Sequence, residues 1–317
     1  MPLVSVVVPC WNAGEWIGET IESVVAQPSL GLDIVLVDDG SDDDSVAIAE
    51  AAAGGALQVV RQAHRGVSAA RNAGTRAARC AFIQYLDADD LLLPGTIAAR
   101  VEALERTGAD VAYCDWTRWQ RQLDGSFAAT EEVSRTLSTR PDVDLLTGGW
   151  WPPGAVLYRR SIVDRIGDWR EDLPVIQDAR FLLDAALHGA RFVHVAAVGL
   201  KYRVHGSESV SRRSPTAFLE DCYRNARDLH ALWAGTPELD EARRRGLVSV
   251  YAYLARAFFP IDRARFRDVL VDLQRIEPNY VPEKPPALRA LSHVVGYTAA
   301  EHVASSWRQL KTWVAHG

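Results

Sequence analysis

Between Leu3 and Asp90, short β-branched runs alternate with stretches of helical periodicity, the pattern of a parallel sheet covered on both faces by helices. Val4 to Val8 predicts a buried strand. Ile17, Ile21, Val24 and Val25 then recur at helical spacing as far as Gln27. A second strand, Ile34 to Val37, ends in Asp38 and Asp39. Ser41 offers an N-cap after it, with Asp42 to Asp44 in the first turn of a helix to Ala53. Leu57 to Val60 is a third strand, Ser68 caps a helix to Arg79, and a fourth strand, Phe82 to Leu86, stops at Asp87. Three of these strands finish at a polar or acidic cluster. Ligands of open parallel sheets bind beyond the carboxyl ends of the strands, so the pattern gathers carboxylates on the rim where a ligand is expected.

Beyond Val111 to Asp115 the regularity breaks. A Trp-rich and Gln/Arg-rich stretch, Trp116 to Gln122, is followed by the Gly/Pro-broken segment Gly148 to Gly154, and such breaks mark long loops over a site. Ala155 to Tyr158 resumes as strand, Phe181 to Leu187 as helix, and Phe192 to Tyr202 as one or two strands. From Pro215 the periodicity is helical. These signals divide the chain into an α/β domain, 1–214, with halves 1–115 and 116–214, and a C-terminal helical region, 215–317.

Composition excludes several classes. The chain has 317 residues, 48% hydrophobic and 24% charged, close to soluble globular averages. Residues 1–150 hold 11 basic and 22 acidic side chains, whereas residues 151–317 hold 24 and 19. An acidic front half argues against nucleic acid as a partner, since phosphate tracking needs basic patches. Cys10, Cys80, Cys114 and Cys222 are too scattered for a structural zinc site and are expected to be reduced. Leu3 to Val8 is too short for a signal-peptide core, and Leu247 to Pro260 is interrupted by Arg256 and too short to span a bilayer. A cytoplasmic protein is expected.

Four constellations bear on chemistry. Asp87, Asp89 and Asp90 follow directly after an apolar strand, and their mutual repulsion suits a divalent cation such as Mg²⁺ or Mn²⁺; a solvated strand-end turn is the alternative. Asp38 and Asp39 are surplus to capping and suit hydrogen bonds from a base or ribose. The loop from Pro9 to Gly14 places Trp11 where it either stacks on a nucleobase or packs into the core. Arg71, early in its helix, either reaches a phosphate or pairs with a rim carboxylate.

Four segments stand in order: SVVVPCWNAGEWIGETIESVVAQ (Ser5 to Gln27), IVLVDDGSDDDS (Ile34 to Ser45), RGVSAARNAG (Arg65 to Gly74) and FIQYLDADDLLLP (Phe82 to Pro94). Together they resemble a family 2 glycosyltransferase of the GT-A fold, over about residues 3–211. The resemblance implies an α/β, Rossmann-like mixed sheet with helices on both faces. It further implies a nucleotide-diphospho-sugar donor held by Pro9, Trp11, Asn12, Asp38, Asp39, Arg71, Asp87 and Asp89, with Asp39 and Asp38 at the base and ribose. Asp87 and Asp89 match the DxD pair, and Asp89 would hold the Mg²⁺ or Mn²⁺ that bridges the diphosphate. Where the family has Glu then Asp at the start of a helix, this chain has Gln177 and Asp178, so the expected catalytic base is present and its acidic neighbour is not. His205, in the run Tyr202 to Gly206 followed by Ser209 and Ser211, corresponds to a metal or diphosphate contact.

An inverting transfer follows from these roles, with Asp178 taking the proton of an acceptor hydroxyl. Trp150 and Trp151, beside Pro152 to Gly154, are candidates for stacking on a glycan, lipid-linked or small-molecule acceptor, or for a packed corner. The Arg-rich tail has three readings: a solvated helix face, peripheral contact with anionic lipid or polysaccharide intermediates at the inner face of the membrane, and pairing in a homodimer. The competing functional class is a sugar-nucleotide-binding protein without turnover. A nicotinamide-dependent oxidoreductase is disfavoured, because no GxGxxG follows the first strand.

Overall fold

The computed structural model describes residues 3–28, 31–205 and 214–316, with side chains as far as residue 306. Two compact units divide the chain: Met1–Leu145 with Gly149–Ser214, and Leu146–Gly148 with Pro215–Gly317.

A nine-stranded mixed sheet forms the first unit. β1 (Val4–Cys10) is buried along its whole length, as its apolar run requires. It pairs in parallel with β2 (Leu32–Asp38) on one side and β4 (Phe82–Tyr85) on the other, while β3 (Leu57–Arg61) extends the sheet beyond β2. The chain thus reverses its direction of growth at β1, which makes the carboxyl ends of β1 and β4 the crevice where an α/β sheet binds ligands. Past β4 the sheet continues through β8 (Val156–Arg159), β6 (Val111–Arg121), β9 (Phe192–Val204) and the short β5 (Leu91–Leu92), with β7 (Phe127–Val133) also paired to β6.

Helices α1 (Ile17–Val25), α2 (Ser45–Ala53), α3 (Val67–Ala77) and α4 (Thr96–Thr107) connect these strands, followed by α5 (Pro141–Leu146), α6 (Arg160–Ile166) and α7 (Gln177–Leu187). α1 buries Ile17, Ile21 and Val24, its periodic apolar face. α3 lies close on β1 and β2 because of Gly74: a Cβ there would sit 2.3 Å from Val7 Cγ1 and 3.1 Å from Val37 Cγ2. That close approach carries Arg71 and Asn72, one turn earlier, into the interior at 1% and 2% exposure.

Helix starts differ from the sequence expectation. α2 begins at Ser45 rather than just after Ser41. Ser41 instead donates its N–H to Asp38 Oδ1 (2.9 Å), and its hydroxyl accepts the Asn12 N–H (3.1 Å), so it closes a turn and joins two loops. α3 starts at Val67 after Gly66, whose φ of +91° suits glycine. Ser68 lies inside the first turn, its hydroxyl buried without a partner. β6 and β9 are each single long strands, because Trp116 to Gln120 pairs with both β7 and β9.

The second unit comprises α8 (Pro215–Trp233), α9 (Glu241–Phe258), α10 (Arg263–Ile276), α11 (Pro286–Val295) and α12 (Tyr297–His316). Its core contains Trp233, Tyr251, Leu254, Phe258 and Leu273. Asp240 and Asp262 cap α9 and α10 by accepting backbone N–H groups of the first turn. Among the described residues no helix is long and apolar enough to cross a membrane.

Candidate active site

Loops after β1, β2 and β3 enclose a cleft of about 310 Å³, walled by Pro9, Trp11, Asp39, His64, Arg65 and Glu171 among others. Pro9 is part of β1 and pairs with Val37, so its ring belongs to the cleft floor. Trp11 is 49% exposed and stacks on His64, with ring centroids 4.5 Å apart. Core packing therefore does not account for Trp11.

Both aspartates after β2 are engaged by the protein itself. Asp39, 2% exposed, accepts the Gln62 side-chain amide (2.7 Å) and the backbone N–H of Arg65 (2.9 Å) and Gly66 (2.8 Å). His64 Nδ1 lies 3.0 Å from Oδ2, the oxygen that also accepts the Gly66 N–H. Its carboxylate thereby fixes the loop that forms the cleft wall. Asp38 closes the Ser41 turn, with Arg61 Nε 3.8 Å away. Asn12, at φ +47° and exposed beside Trp11, accepts the Asp42 N–H (3.0 Å) and so ties the two loops together.

The three aspartates after β4 have separate environments. Asp87 accepts a hydrogen bond from Arg71 Nη2 (2.5 Å). Burial pushes its carboxyl above the usual range, and the Arg71 charge opposes that shift. Arg71 thus pairs with a rim carboxylate, and it does so from the interior: it is 1% exposed, with its guanidinium 4.4 Å from the Trp169 ring. Asp90 is fully buried, accepts the Arg203 N–H (2.9 Å), and is pushed well above the usual range by burial and by Asp89 and Asp87. Asp89 alone of the three is more than a third exposed, at 37%, and its Oδ2 lies 2.8 Å from His205 Nε2. Trp16 and Phe127 hold the His205 ring, 4.4 and 5.7 Å away. Gly206, Ser209 and Ser211 lie outside the described residues.

Asp178 stands in the first turn of α7 and is partly buried. Its Oδ2 accepts the indole N–H of Trp150 (2.6 Å), and Oδ1 accepts the Ala179 N–H (2.8 Å). Burial raises its carboxyl above the usual range, opposed first by the Trp150 hydrogen bond and then by the Arg71 charge. Asp178 is close enough to perturb both Asp87 and Tyr158 electrostatically, and Tyr202 feels Asp178 together with all three rim aspartates. Trp150 also meets Tyr202 and Trp116 edge-on, at 5.5 and 6.0 Å. Trp151 is corrected to a packing residue: it is 3% exposed and wedged against Tyr113 and Trp116, which leaves no ring face for a sugar.

Among the described residues no three His, Cys, Asp or Glu side chains are gathered closely enough to cage a metal. The donors present nonetheless fit Mg²⁺ or Mn²⁺ in a site shared with substrate. Such ions take one or two carboxylates and complete their shells with phosphate oxygens and water. Asp89 supplies an accessible carboxylate and His205 an adjacent nitrogen.

Sequence reasoning missed Trp16, His64, Trp169, Tyr202 and Arg203. Only His64, in the short loop between β3 and α3, had a local signal, being a polar ring at the carboxyl end of a strand on the acidic rim. The others act through contacts with residues distant in sequence.

Known proteins share both the sequence pattern and the architecture. The sequence model described as glycosyl transferase family 2 matches residues 5–167. The uncharacterized glycosyltransferase EpsJ of Bacillus subtilis (strain 168) is 30% identical over 238 residues, which covers 73% of this chain and 67% of EpsJ. The crystal structure of S. aureus TarS 1–349 in complex with UDP-GlcNAc superimposes with a TM-score of 0.67 at 20% identity, covering 97% of this chain and 92% of that one. The mannosyltransferase PcManGT of Pyrobaculum calidifontis, in complex with GDP-Man and Mn²⁺, gives a TM-score of 0.51 at 20% identity, covering 97% and 88%. With the family pattern spanning the sheet that carries the acidic rim, and the GT-A architecture matched in solved structures, the chain belongs to glycosyl transferase family 2.

Proposed function

We propose that the chain transfers a sugar, with inversion, from a nucleotide-diphospho-sugar to a hydroxyl of a glycan, lipid-linked or small-molecule acceptor. The observation that carries this reading is the Asp178 carboxylate, held by Trp150 and raised in pKa by burial, within the electrostatic reach of Asp87 on the donor rim. A carboxylate with a raised pKa is a stronger base for an acceptor hydroxyl than a solvated one. Trp11 and His64 offer stacked rings to a nucleobase, and the loop fixed by Asp39 supplies the cleft wall beside it. When bound at Asp89 and His205, Mg²⁺ or Mn²⁺ supplies positive charge for the departing diphosphate. Arg71 holds the Asp87 carboxylate in place through its hydrogen bond. Support for a sugar-nucleotide donor also comes from family membership and from the UDP-GlcNAc and GDP-Man complexes of the structural neighbours.

Calorimetric titration with UDP-GlcNAc, UDP-glucose and GDP-mannose, with and without Mn²⁺, tests the donor part. One of these donors is expected to bind more tightly with the ion present, and Asp89→Ala is expected to remove the ion's effect. Absence of binding by every nucleotide-sugar would overturn the reading.

The Trp150 contact yields a pH prediction. A hydrogen bond to a charged group contributes about 1.5–3 kcal/mol, and one pKa unit corresponds to about 1.4 kcal/mol. Trp150→Phe removes the N–H that stabilises the ionised Asp178 and keeps an aromatic edge toward Trp116 and Tyr202. The acidic limb of the kcat profile, which reports deprotonation of the base, is therefore expected to move upward by roughly one to two pH units. An unmoved limb would detach Trp150 from the base.

A further inference from the structure

The second unit has a cleft of its own, about 770 Å³, between α9, the segment after α10, and α11. Its cations are unequally committed. Arg244 bonds Glu241 and Glu277 (2.6–3.0 Å), and Arg245 bonds Glu241 (2.7 Å). Arg256, Lys284 and Arg289 also line the cleft, and none of the three forms a side-chain hydrogen bond or ion pair among the described residues. Among the described residues, the carboxylates on the lining are Glu277, already taken by Arg244, and Glu283. A concave surface with uncompensated positive charge concentrates field and attracts anions. The walls are also aromatic: Tyr253 is 56% exposed, and Tyr280 meets Tyr297 edge-on at 5.4 Å. Guanidinium forks match carboxylate and phosphate groups, while tyrosine faces match the C–H faces of sugar rings.

We propose that this cleft binds an anionic glycan, a saccharide chain bearing carboxylate or phosphate groups. Arg256, Lys284 and Arg289 hold the acidic groups and Tyr253 packs against a ring between them. The choice of a glycan over another polyanion rests on the transferase reading; the choice of an anion rests on the charge of the cleft alone.

The test uses the full chain and four probes: oligogalacturonate for the carboxylate arm, phosphomannan for the phosphate arm, polyglutamate as a sugar-free polyanion, and vesicles of phosphatidylglycerol. Oligogalacturonate or phosphomannan is expected to bind, and whichever binds names the acidic group. R256Q/R289Q is expected to weaken that binding about tenfold, and Tyr253→Ala about threefold. Hydrolysis of the nucleotide-sugar donor by R256Q/R289Q is expected to match wild type. No binding of either glycan, or binding of polyglutamate or vesicles equal to theirs with the same loss in R256Q/R289Q, would overturn the proposal. Glycan binding that persists in a chain taking up no nucleotide-sugar would instead refute the transferase reading.

Discussion

Asp178→Asn is expected to slow sugar transfer by about 10²–10⁴-fold, the usual contribution of a positioned general base, while leaving donor affinity within about twofold of wild type. The substitution is close to isosteric. An asparagine carbonyl can still accept the Trp150 indole N–H, which now reaches Asp178 Oδ2 at 2.6 Å. What disappears is the capacity to take a proton from the acceptor hydroxyl. Stability should respond in the opposite direction from activity. Asp178 has a folded pKa raised by burial, so the folded state binds its proton more tightly than the unfolded state does. The wild-type protein therefore loses stability as pH rises through the unfolded carboxylate value toward the folded one. The asparagine variant does not, and above that window it should melt at or above the wild-type temperature. Turnover by chromatography of the released nucleotide, donor titration by calorimetry and melting at two pH values check the three parts together. A variant within tenfold of wild-type turnover would remove Asp178 from the reaction.

The strands and the rim were legible in the sequence because they depend on local chemistry. A Val-rich run such as Val4 to Val8, interrupted only by the small Ser5, suits a strand buried on both faces of a parallel sheet. Ile17, Ile21 and Val24 declare one helix face without reference to distant residues. The site resisted reading wherever a side chain takes its partner from far along the chain. Ser41 and Ser68 have the chemistry of helix caps, yet Ser41 joins the Asn12 loop and Ser68 lies one position inside α3. Asp39 suits a base or ribose by its place on the rim, but the hydrogen bonds it accepts come from Gln62, Arg65 and Gly66, which reach it only because β3 lies beside β2. The pairing of Asp89 with His205 spans 116 positions and exists only once β9 lies beside β5 and β6. Trp150 and Trp151 are chemically identical neighbours, and backbone direction alone sends one to Asp178 and the other into the core.

Arg71→Met is expected to destabilise the sheet unit by roughly 3–5 kcal/mol, the range for removing one partner of a buried ion pair. The Arg71 side chain is 2% exposed and that of Asp87 29%. The guanidinium makes one contact of 2.5 Å to Asp87 and packs over Trp169, which itself stacks on Phe181 at 4.0 Å. Methionine fills much of the space over Trp169, so the loss isolates the charge rather than the volume. It leaves Asp87 facing Asp89 and Asp178 with no cation between them. A buried pair contributes little net stability over an apolar pair of similar shape, because desolvation of both ions offsets their attraction. Arg71→Met combined with Asp87→Leu is therefore expected to recover most of what the single change loses. Chemical denaturation of the two variants, compared at one pH, measures both quantities. A single variant within about 1 kcal/mol of wild type would mean that Arg71 and Asp87 do not depend on each other. A double variant as unstable as the single would assign the loss to packing over Trp169. The predicted pattern, a large loss that is largely restored, follows only if Arg71 is there to make a carboxylate tolerable at the carboxyl end of β4, where the fold places its ligand crevice.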